Sequence, residues 1–136
     1  MKTSHHLVAV GLLAAFLCGC GGPREEPKSE VSGTVLMDDK PLDEGEIIFE
    51  AEDKSTTPAV CKIVSGRYTV SIVPGPKRVK ILASRPVLKP DPVMGYGAKE
   101  AIIGPEYNEK TTLKYDVLPG KQDDVDFKVK EMKRTK

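Results

Sequence analysis

Clustered carboxylates are the first residues whose types and spacing could do chemistry. Asp38 and Asp39 are adjacent, and Asp123, Asp124 and Asp126 lie within four positions of one another. Such oxygen ligands could hold a hard cation such as Ca²⁺. In a strand, however, Asp124 and Asp126 point the same way and Asp123 points to the other face, and no glycine-centred ligand loop surrounds them. We therefore expect solvated turns or a solvated sheet edge here, and no metal site.

Catalysis would require a nucleophile beside a base, or a positioned pair of carboxylates. The chain has two histidines, His5 and His6, and both precede the apolar run described below. Cys61 shares the dry side of its segment with Ala59 and Ile63, where a free cysteine behaves as a small buried hydrophobic residue. A reactive thiol or an intermolecular disulfide is the alternative for Cys61. We predict a protein that is not an enzyme and has no cofactor.

The N-terminal residues have the organisation of an export signal. Lys2 precedes an unbroken apolar run from Leu7 to Leu17, and Gly21, Gly22 and Pro23 follow it. This run is shorter than the roughly 20 residues that a membrane-spanning helix needs. Residues 1–19 are therefore predicted to be a signal peptide that starts export and does not remain as a transmembrane helix.

The end of that run is similar to a known processing site. Leu17-Cys18-Gly19-Cys20 resembles the lipobox of bacterial lipoproteins, with an aliphatic residue three places before the invariant cysteine and a small residue directly before it. The resemblance implies that Cys20 carries the lipid, and that the protein is anchored to a membrane of the cell envelope and faces the periplasm or the exterior. Cleavage by the ordinary secretory peptidase, giving a soluble protein, is the alternative.

Processing would leave a chain of balanced charge. Without residues 1–19, 20 basic and 20 acidic side chains remain and no histidine does. This balance, with no basic stripe, argues against a nucleic-acid partner. Residues 20–30 hold prolines and charges and almost nothing apolar, so they are predicted to be the lipidated cysteine and a flexible tether. Residues 131–136 are predicted to be a basic tail.

Apolar and polar residues alternate with a period of two in seven segments, which indicates strands with one solvent-exposed face and one buried face. Turn residues such as Ser65-Gly66 and Pro74-Gly75 separate these segments. We predict an all-β domain over residues 31–130, a single seven-stranded antiparallel β-sandwich. Its aromatic core residues are expected to be Phe49, Tyr68, Tyr115 and Phe127. Each of the seven strands is predicted to bury one face, and the central residues of these faces, in chain order, are Val31 and Val35, Ile47 and Phe49, Cys61 and Ile63, Tyr68 and Val70, Val79 and Ile81, Tyr115 and Val117, and Val125 and Phe127.

A series of strand and turn motifs occurs in a fixed order along the domain: Val31 to Val35, Lys40-Pro41-Leu42, Ser65 to Val70, Pro74-Gly75, Val79 to Ile81 and Pro105 to Asn108. This order resembles the carboxypeptidase regulatory-like, or transthyretin-like, β-sandwich. The chain is similar, more narrowly, to small bacterial lipoproteins that consist of a lipobox, a tether and one such domain. Transthyretin-like hydrolases use histidines, an arginine and a Tyr-Arg-Gly-Ser terminus that have no matching positions here, so the resemblance implies the fold and no activity.

The longest stretch predicted to be irregular runs over residues 85–110. A connection of this length is usually either functional or disordered. We expect it to pack on the domain in part, through Ile102, Ile103 and Tyr107, and to leave Val93 to Gly97 as an exposed tip. Met94, Tyr96 and Tyr107 are the candidate interaction residues. A core-capping loop without a ligand is the alternative.

These observations predict an interaction or structural module at the membrane surface, with an envelope protein or a glycan as a possible partner. The alternative is a protein that binds a glycan or a peptide through the 85–110 loop. Tyr96 is the one clearly loop-borne aromatic residue before Tyr107.

Overall fold

The fold is all-β, as predicted. A computed structural model of the chain describes residues 26–87, 92–93 and 97–133; the predicted signal peptide, Cys20, Met94 and Tyr96 lie outside these residues. The described part contains a single-turn 3-10 helix, Pro105–Tyr107, and eleven strands: β1 (Ser29–Met37), β2 (Lys40–Pro41), β3 (Glu44–Ala51), β4 (Ala59–Val64), β5 (Arg67–Ile72), β6 (Gly75–Leu82), β7 (Ser84–Pro86), β8 (Lys99–Ala101), β9 (Lys114–Val117), β10 (Lys121–Gln122) and β11 (Phe127–Val129).

The predicted faces of the strands are confirmed most clearly in β5. Tyr68, Val70 and Ile72 are buried, and the residues between them are exposed. Because successive side chains of a strand point to opposite faces, one buried face fixes which residues meet the core.

Nine strands form one curled sheet, in which the main order is β10-β1-β5-β4-β3-β6-β9, while β2 and β11 also pair with β1. Most pairings are antiparallel, but β10 and β11 run parallel to β1, with Glu30 opposite Lys121 and Val35 opposite Phe127. The prediction of uniformly antiparallel pairing was wrong for this C-terminal segment. Alternation reveals the buried face of a strand, but it carries no information about the direction of the neighbouring strand.

β1 begins at Ser29, two residues before the predicted start of the domain at Val31. Ser29 is buried, and its hydroxyl accepts a hydrogen bond from the backbone N–H of Gly120 at 3.1 Å. The N–H of Glu30 donates to the carbonyl of Gly120 at 3.1 Å. Ser29 and Glu30, which were assigned to the tether, therefore belong to the sheet.

Two hairpins use two-residue turns with positive φ at both positions. Asp38 and Asp39 have φ of 49° and 63°, and Ser65 and Gly66 have 51° and 78°. Turns of this kind match the right-handed twist of the strands they join, and aspartate tolerates the left-handed conformation better than most residues do. Asp39 also accepts a hydrogen bond from the Lys128 amine at 3.0 Å, and Asp38 accepts one from the N–H of Glu131 at 3.2 Å, so both carboxylates join this turn to the C-terminal segment.

Three aromatic rings form the centre of the core. Phe49, Tyr68 and Phe127 come from β3, β5 and β11, and their ring centroids lie 6.0 to 6.3 Å apart. Tilted and edge-on rings at this separation interact favourably beyond the area that they bury. Tyr115, also predicted to be a core aromatic residue, is half-buried, and its hydroxyl donates to Gln122 Oε1 at 2.7 Å.

The backbone carbonyl of Val125 lies against β1 and β5. The Tyr68 hydroxyl donates to this carbonyl oxygen at 2.7 Å, and burial raises the pKa of Tyr68 above its ordinary value. A Cβ at Gly33 would lie 1.9 Å from the same oxygen. Glycine at position 33 therefore allows residue 125 to approach closely enough to accept the bond from Tyr68.

The sheet has a gap between β4 and β5. These strands share one ladder pair, Val64 with Arg67, whereas β5 shares six pairs with β1. Within the gap, the Cys61 thiol donates to the carbonyl of Thr69 at 3.0 Å. Cys61 packs against the core on the predicted face but is half-buried, and so is less buried than predicted. Its position beside the gap gives the side chain access to solvent.

Truncating the central ring should be much more costly than truncating its exposed neighbour. Tyr68→Ala removes a buried ring and the donor to Val125, so we expect it to lower the free energy of unfolding by about 3 to 5 kcal/mol. Thr69→Ala, on the exposed face of the same strand, should cost under about 1 kcal/mol. Urea unfolding monitored by circular dichroism measures both, and equal losses would contradict the assigned faces.

Candidate functional site

The segment 85–110 is more regular than predicted. β7 and β8 pair antiparallel, with Arg85 opposite Glu100, and the N–H of Val87 donates to the carbonyl of Ala98 at 2.9 Å. The prediction of an irregular stretch was therefore wrong for its base, which is a β-hairpin. Val93, in the expected exposed tip, is 93% exposed.

The predicted packing of this segment on the domain is confirmed. Ile103 is buried, and Ile102 and Tyr107 are half-buried against the core. Tyr107 ends the 3-10 helix, whose first residue is Pro105. Of the three candidate interaction residues, the described Tyr107 thus has a packing role, and Met94 and Tyr96 lie outside the described residues.

The hairpin is joined to the C-terminal residues. Arg85 Nε lies 2.7 Å from Glu100 Oε1, and Arg85 Nη1 lies 3.0 Å from Glu131 Oε1. The hydrogen bond to Glu100 is the main reason that the pKa of Arg85 is raised. The N–H of Met132 donates to the carbonyl of Ile102 at 2.7 Å. Residues 131 and 132, predicted to belong to a tail, therefore pack on the domain.

A groove of about 640 Å³ lies between the 85–110 segment and the sheet. One wall comes from β8 and the residues that follow it, and the other comes from the beginning of β3 and the end of β4. Leu82, at the end of β6, lies between the two walls. The walls include Lys99, Ala101, Ile103 and Asn108 on one side, and Glu44, Glu46, Lys62 and Val64 on the other.

The groove combines apolar surface with charges of both signs. Glu46 is the cross-strand neighbour of Lys62 on β4 and of Leu82 on β6. Leu82 is 39% exposed and Val64 is 62% exposed. No aromatic residue is among the described residues that line the groove, so the ring stacking that favours a glycan is missing from its walls.

Sequence reasoning missed this groove. The usable signal was the presence of apolar residues on wet faces: Leu82 follows the exposed side of β6, and Val60 and Val64 follow that of β4. Large apolar residues grouped on an exposed surface indicate an interaction site more often than scattered ones do.

The acidic residues predicted to be solvated attach the last segment of the chain to β1. Asp123 accepts a hydrogen bond from the Ser32 hydroxyl at 2.6 Å, which lowers the pKa of Asp123, and Asp126 accepts one from the N–H of Thr34 at 2.7 Å. Asp124 has a φ of 61° and does not lie in a strand, so its predicted place in regular alternation was wrong. Within residues 26–87, 92–93 and 97–133, no group of three or more His, Cys, Asp or Glu residues is placed to hold a metal ion.

Comparisons with known proteins identify no family for this chain. No protein-family model matches it, and no curated protein sequence matches it. A crystal structure of a 9R-lipoxygenase from Cyanothece PCC8801 is similar over 76% of this chain, with 14% sequence identity and a TM-score of 0.41. The chain spans 16% of that protein. A likeness of this degree carries no argument about function.

The helical content of the described residues is the single 3-10 turn. No helix in these parts of the chain is long and apolar enough to span a bilayer.

Removing the Arg85 guanidinium should loosen the hairpin and the C-terminal residues together. We expect Arg85→Met to lower the melting temperature only slightly, because partly exposed ion pairs contribute little each. The amides of Val87 and Met132 should exchange with deuterium faster in this variant. Arg67→Met, on the exposed face of β5, is the matched control, and equal exchange in both variants would show that Arg85 does not join these segments.

Proposed function

We propose that this protein is a non-enzymatic, lipid-anchored protein of the bacterial cell envelope, whose β-sandwich acts as an interaction or structural module. The observation that carries this proposal is the place where the sheet begins. β1 starts at Ser29, nine positions after Cys20, and Glu26 to Lys28 are exposed. A chain spans at most about 3.3 to 3.6 Å per residue, so this linker would hold the domain within about 30 Å of the lipid-bearing residue.

The proposed sandwich is supported by the gap between β4 and β5. One ladder pair joins β1-β5 to β4-β3-β6-β9, so the curled sheet can divide into two layers that face each other. Side chains of both groups meet in the core, where Phe49 of β3 packs on Tyr68 of β5. Two sheets that share a core in this way make a sandwich.

The proposed likeness to carboxypeptidase regulatory-like domains gains support from the physical roles of its motif residues. Gly33 makes room for the carbonyl of Val125, and Gly66 forms the turn before Tyr68. The tyrosine of the same motif donates to that carbonyl. These roles belong to the fold, and a fold of this kind can carry many functions.

A second candidate function is peptide binding in the groove beside the 85–110 segment. The observation that favours it is the lining: Val64 and Leu82 offer exposed apolar surface, while Glu46, Lys62 and Lys99 supply both charges. An extended peptide presents apolar and charged side chains in alternation, and such a groove could receive both.

The anchor is tested through its cysteine. We expect Cys20→Ala to abolish incorporation of radioactive palmitate and to leave the unprocessed precursor or a soluble product, because the lipid would be attached through this thiol. Cys18→Ala and Cys61→Ala are matched controls that should keep the label. Labelling that persists in Cys20→Ala would overturn the proposed anchor.

The groove is tested with paired surface variants. Replacing Val64 and Leu82 by Ser should abolish photo-cross-linking of peptide segments from envelope proteins to this face, with the cross-linker placed at Lys99. The melting temperature should change little, because both side chains are substantially exposed. Val60→Ser, which removes an equally exposed valine outside the groove, is the control. Unchanged cross-linking in the double variant would exclude the groove as the binding surface.

A further inference from the structure

A second cavity, of about 410 Å³, lies where β1 begins and β5 ends. Its lining includes Ile72 at the end of β5, Lys28 just before β1, and Thr56 and Thr57 in the connection between β3 and β4. Tyr107 and the described residues that line the groove do not contribute to it. It is therefore a separate feature of the domain.

Lys77 is the unusual residue in this cavity. It lies in β6 in phase with Val79 and Ile81, so its side chain is on the core face, and the residue is only 5% exposed. Within the described parts of the chain, its amine makes no hydrogen bond or ion pair with another residue. Every deeply buried side-chain nitrogen or oxygen atom in those parts does have a partner, so the Lys77 amine must reach solvent through the cavity that it lines.

An ammonium group in such a place favours an anion. The Lys77 amine reaches water only through this cavity, because the residue as a whole is 5% exposed, and a charge with so little contact with water is stabilised by an opposite charge nearby. Asp53 is a nearby carboxylate, but hydrogen bonding by Ser55 is the main reason that its pKa is lowered, and the charge of Lys77 is the smallest contributor. The carboxylate of Asp53 is thus engaged with the turn at Ser55.

The remaining polar lining consists of residues with hydrogen-bond donors. Lys28, Thr56 and Thr57 line the same cavity as Lys77. Two lysines and two threonines carry more donors than the two oxygens of a carboxylate can use, whereas a phosphate group offers more acceptor oxygens and carries more charge. The half-buried Val73 adds apolar surface, which indicates an organic group attached to the phosphate.

We propose that this cavity binds the phosphate group of an organic phosphate, with Lys77 and Lys28 as the charged donors. The phosphate can come from the headgroup of a membrane phospholipid or from a soluble phosphate ester. The first source rests on the proposed lipid anchor, since Lys28 would lie within about 29 Å of a lipid on Cys20.

The binding experiment uses the full-length chain in maltoside micelles and sn-glycerol 3-phosphate as the probe, followed by calorimetry. We expect Lys77→Met to weaken binding about tenfold or more, as the loss of a charge-assisted hydrogen bond does, and Lys77→Arg to retain binding. Lys40→Met removes the same charge from an exposed lysine of β2, which pairs with the opposite end of β1, and should change affinity less than twofold. Equal weakening by Lys77→Met and Lys40→Met, or no binding at millimolar concentration, would overturn the proposal.

A measurement on the unsubstituted chain covers the case in which Lys77→Met fails to fold. Amide resonances of Thr56, Thr57 and Ser71 should shift when glycerol 3-phosphate is added, while those of Lys40 and Val64, which do not line the cavity, should stay in place. Shifts distributed over the whole domain, or none at the cavity, would contradict the proposed site.

Nanodiscs distinguish the two sources of phosphate. If the headgroup is the ligand, the cavity resonances should shift in phosphatidylglycerol discs without added probe and should not shift in galactolipid discs. A shift only on addition of glycerol 3-phosphate assigns a soluble ester. If the unsubstituted chain incorporates no palmitate, the proposed anchor is refuted but the phosphate site is not, because the measurement in micelles requires no lipid on Cys20.

Discussion

The hydrogen bond from the buried Tyr68 hydroxyl to the carbonyl of Val125 is the interaction on which most of this architecture depends. It joins β5 to the returning C-terminal segment across 57 positions of sequence, at the place where Gly33 allows the closest approach. A buried carbonyl and a buried hydroxyl would each be costly without a partner, so the bond satisfies two groups at once. Phe49 and Phe127 then pack against the Tyr68 ring.

The same C-terminal segment is also held along the edge of β1 by hydrogen bonds. Ser32 and Thr34 donate to Asp123 and Asp126, and the N–H of Val125 donates to the carbonyl of Ser32 between them. Carboxylates here replace a regular ladder, which is interrupted where Asp124 adopts positive φ. Their negative charge is used to satisfy backbone and hydroxyl donors, which explains why an acidic cluster occurs without metal-binding geometry among the described residues.

Sequence patterning located the buried faces because they depend on local alternation alone. Tyr68, Val79 and Phe127 were each placed on the correct face for this reason. The parallel pairing of β10 and β11 could not be found, since it depends on where the chain crosses after β9. The hairpin of β7 and β8 was hidden because the prolines and glycines around it resemble those of an irregular loop. The burial of Lys77 could have been predicted from its position two residues before Val79, on the same face of β6. A lysine, however, ordinarily indicates a solvent-exposed face.

The position of β1 in the sheet also determines the order in which the domain can be completed. Its partner β5 lies about 40 residues later, but its contacts with the last segment span 92 positions, as between Thr34 and Asp126. During synthesis, β1 and its hairpin with β2 emerge long before β10 and β11 exist. One edge of β1, and the faces of Phe49 and Tyr68 that Phe127 covers, therefore stay open until nearly the whole chain has been made. Non-local closure of this kind slows folding, and an unpaired strand edge that persists during synthesis favours aggregation.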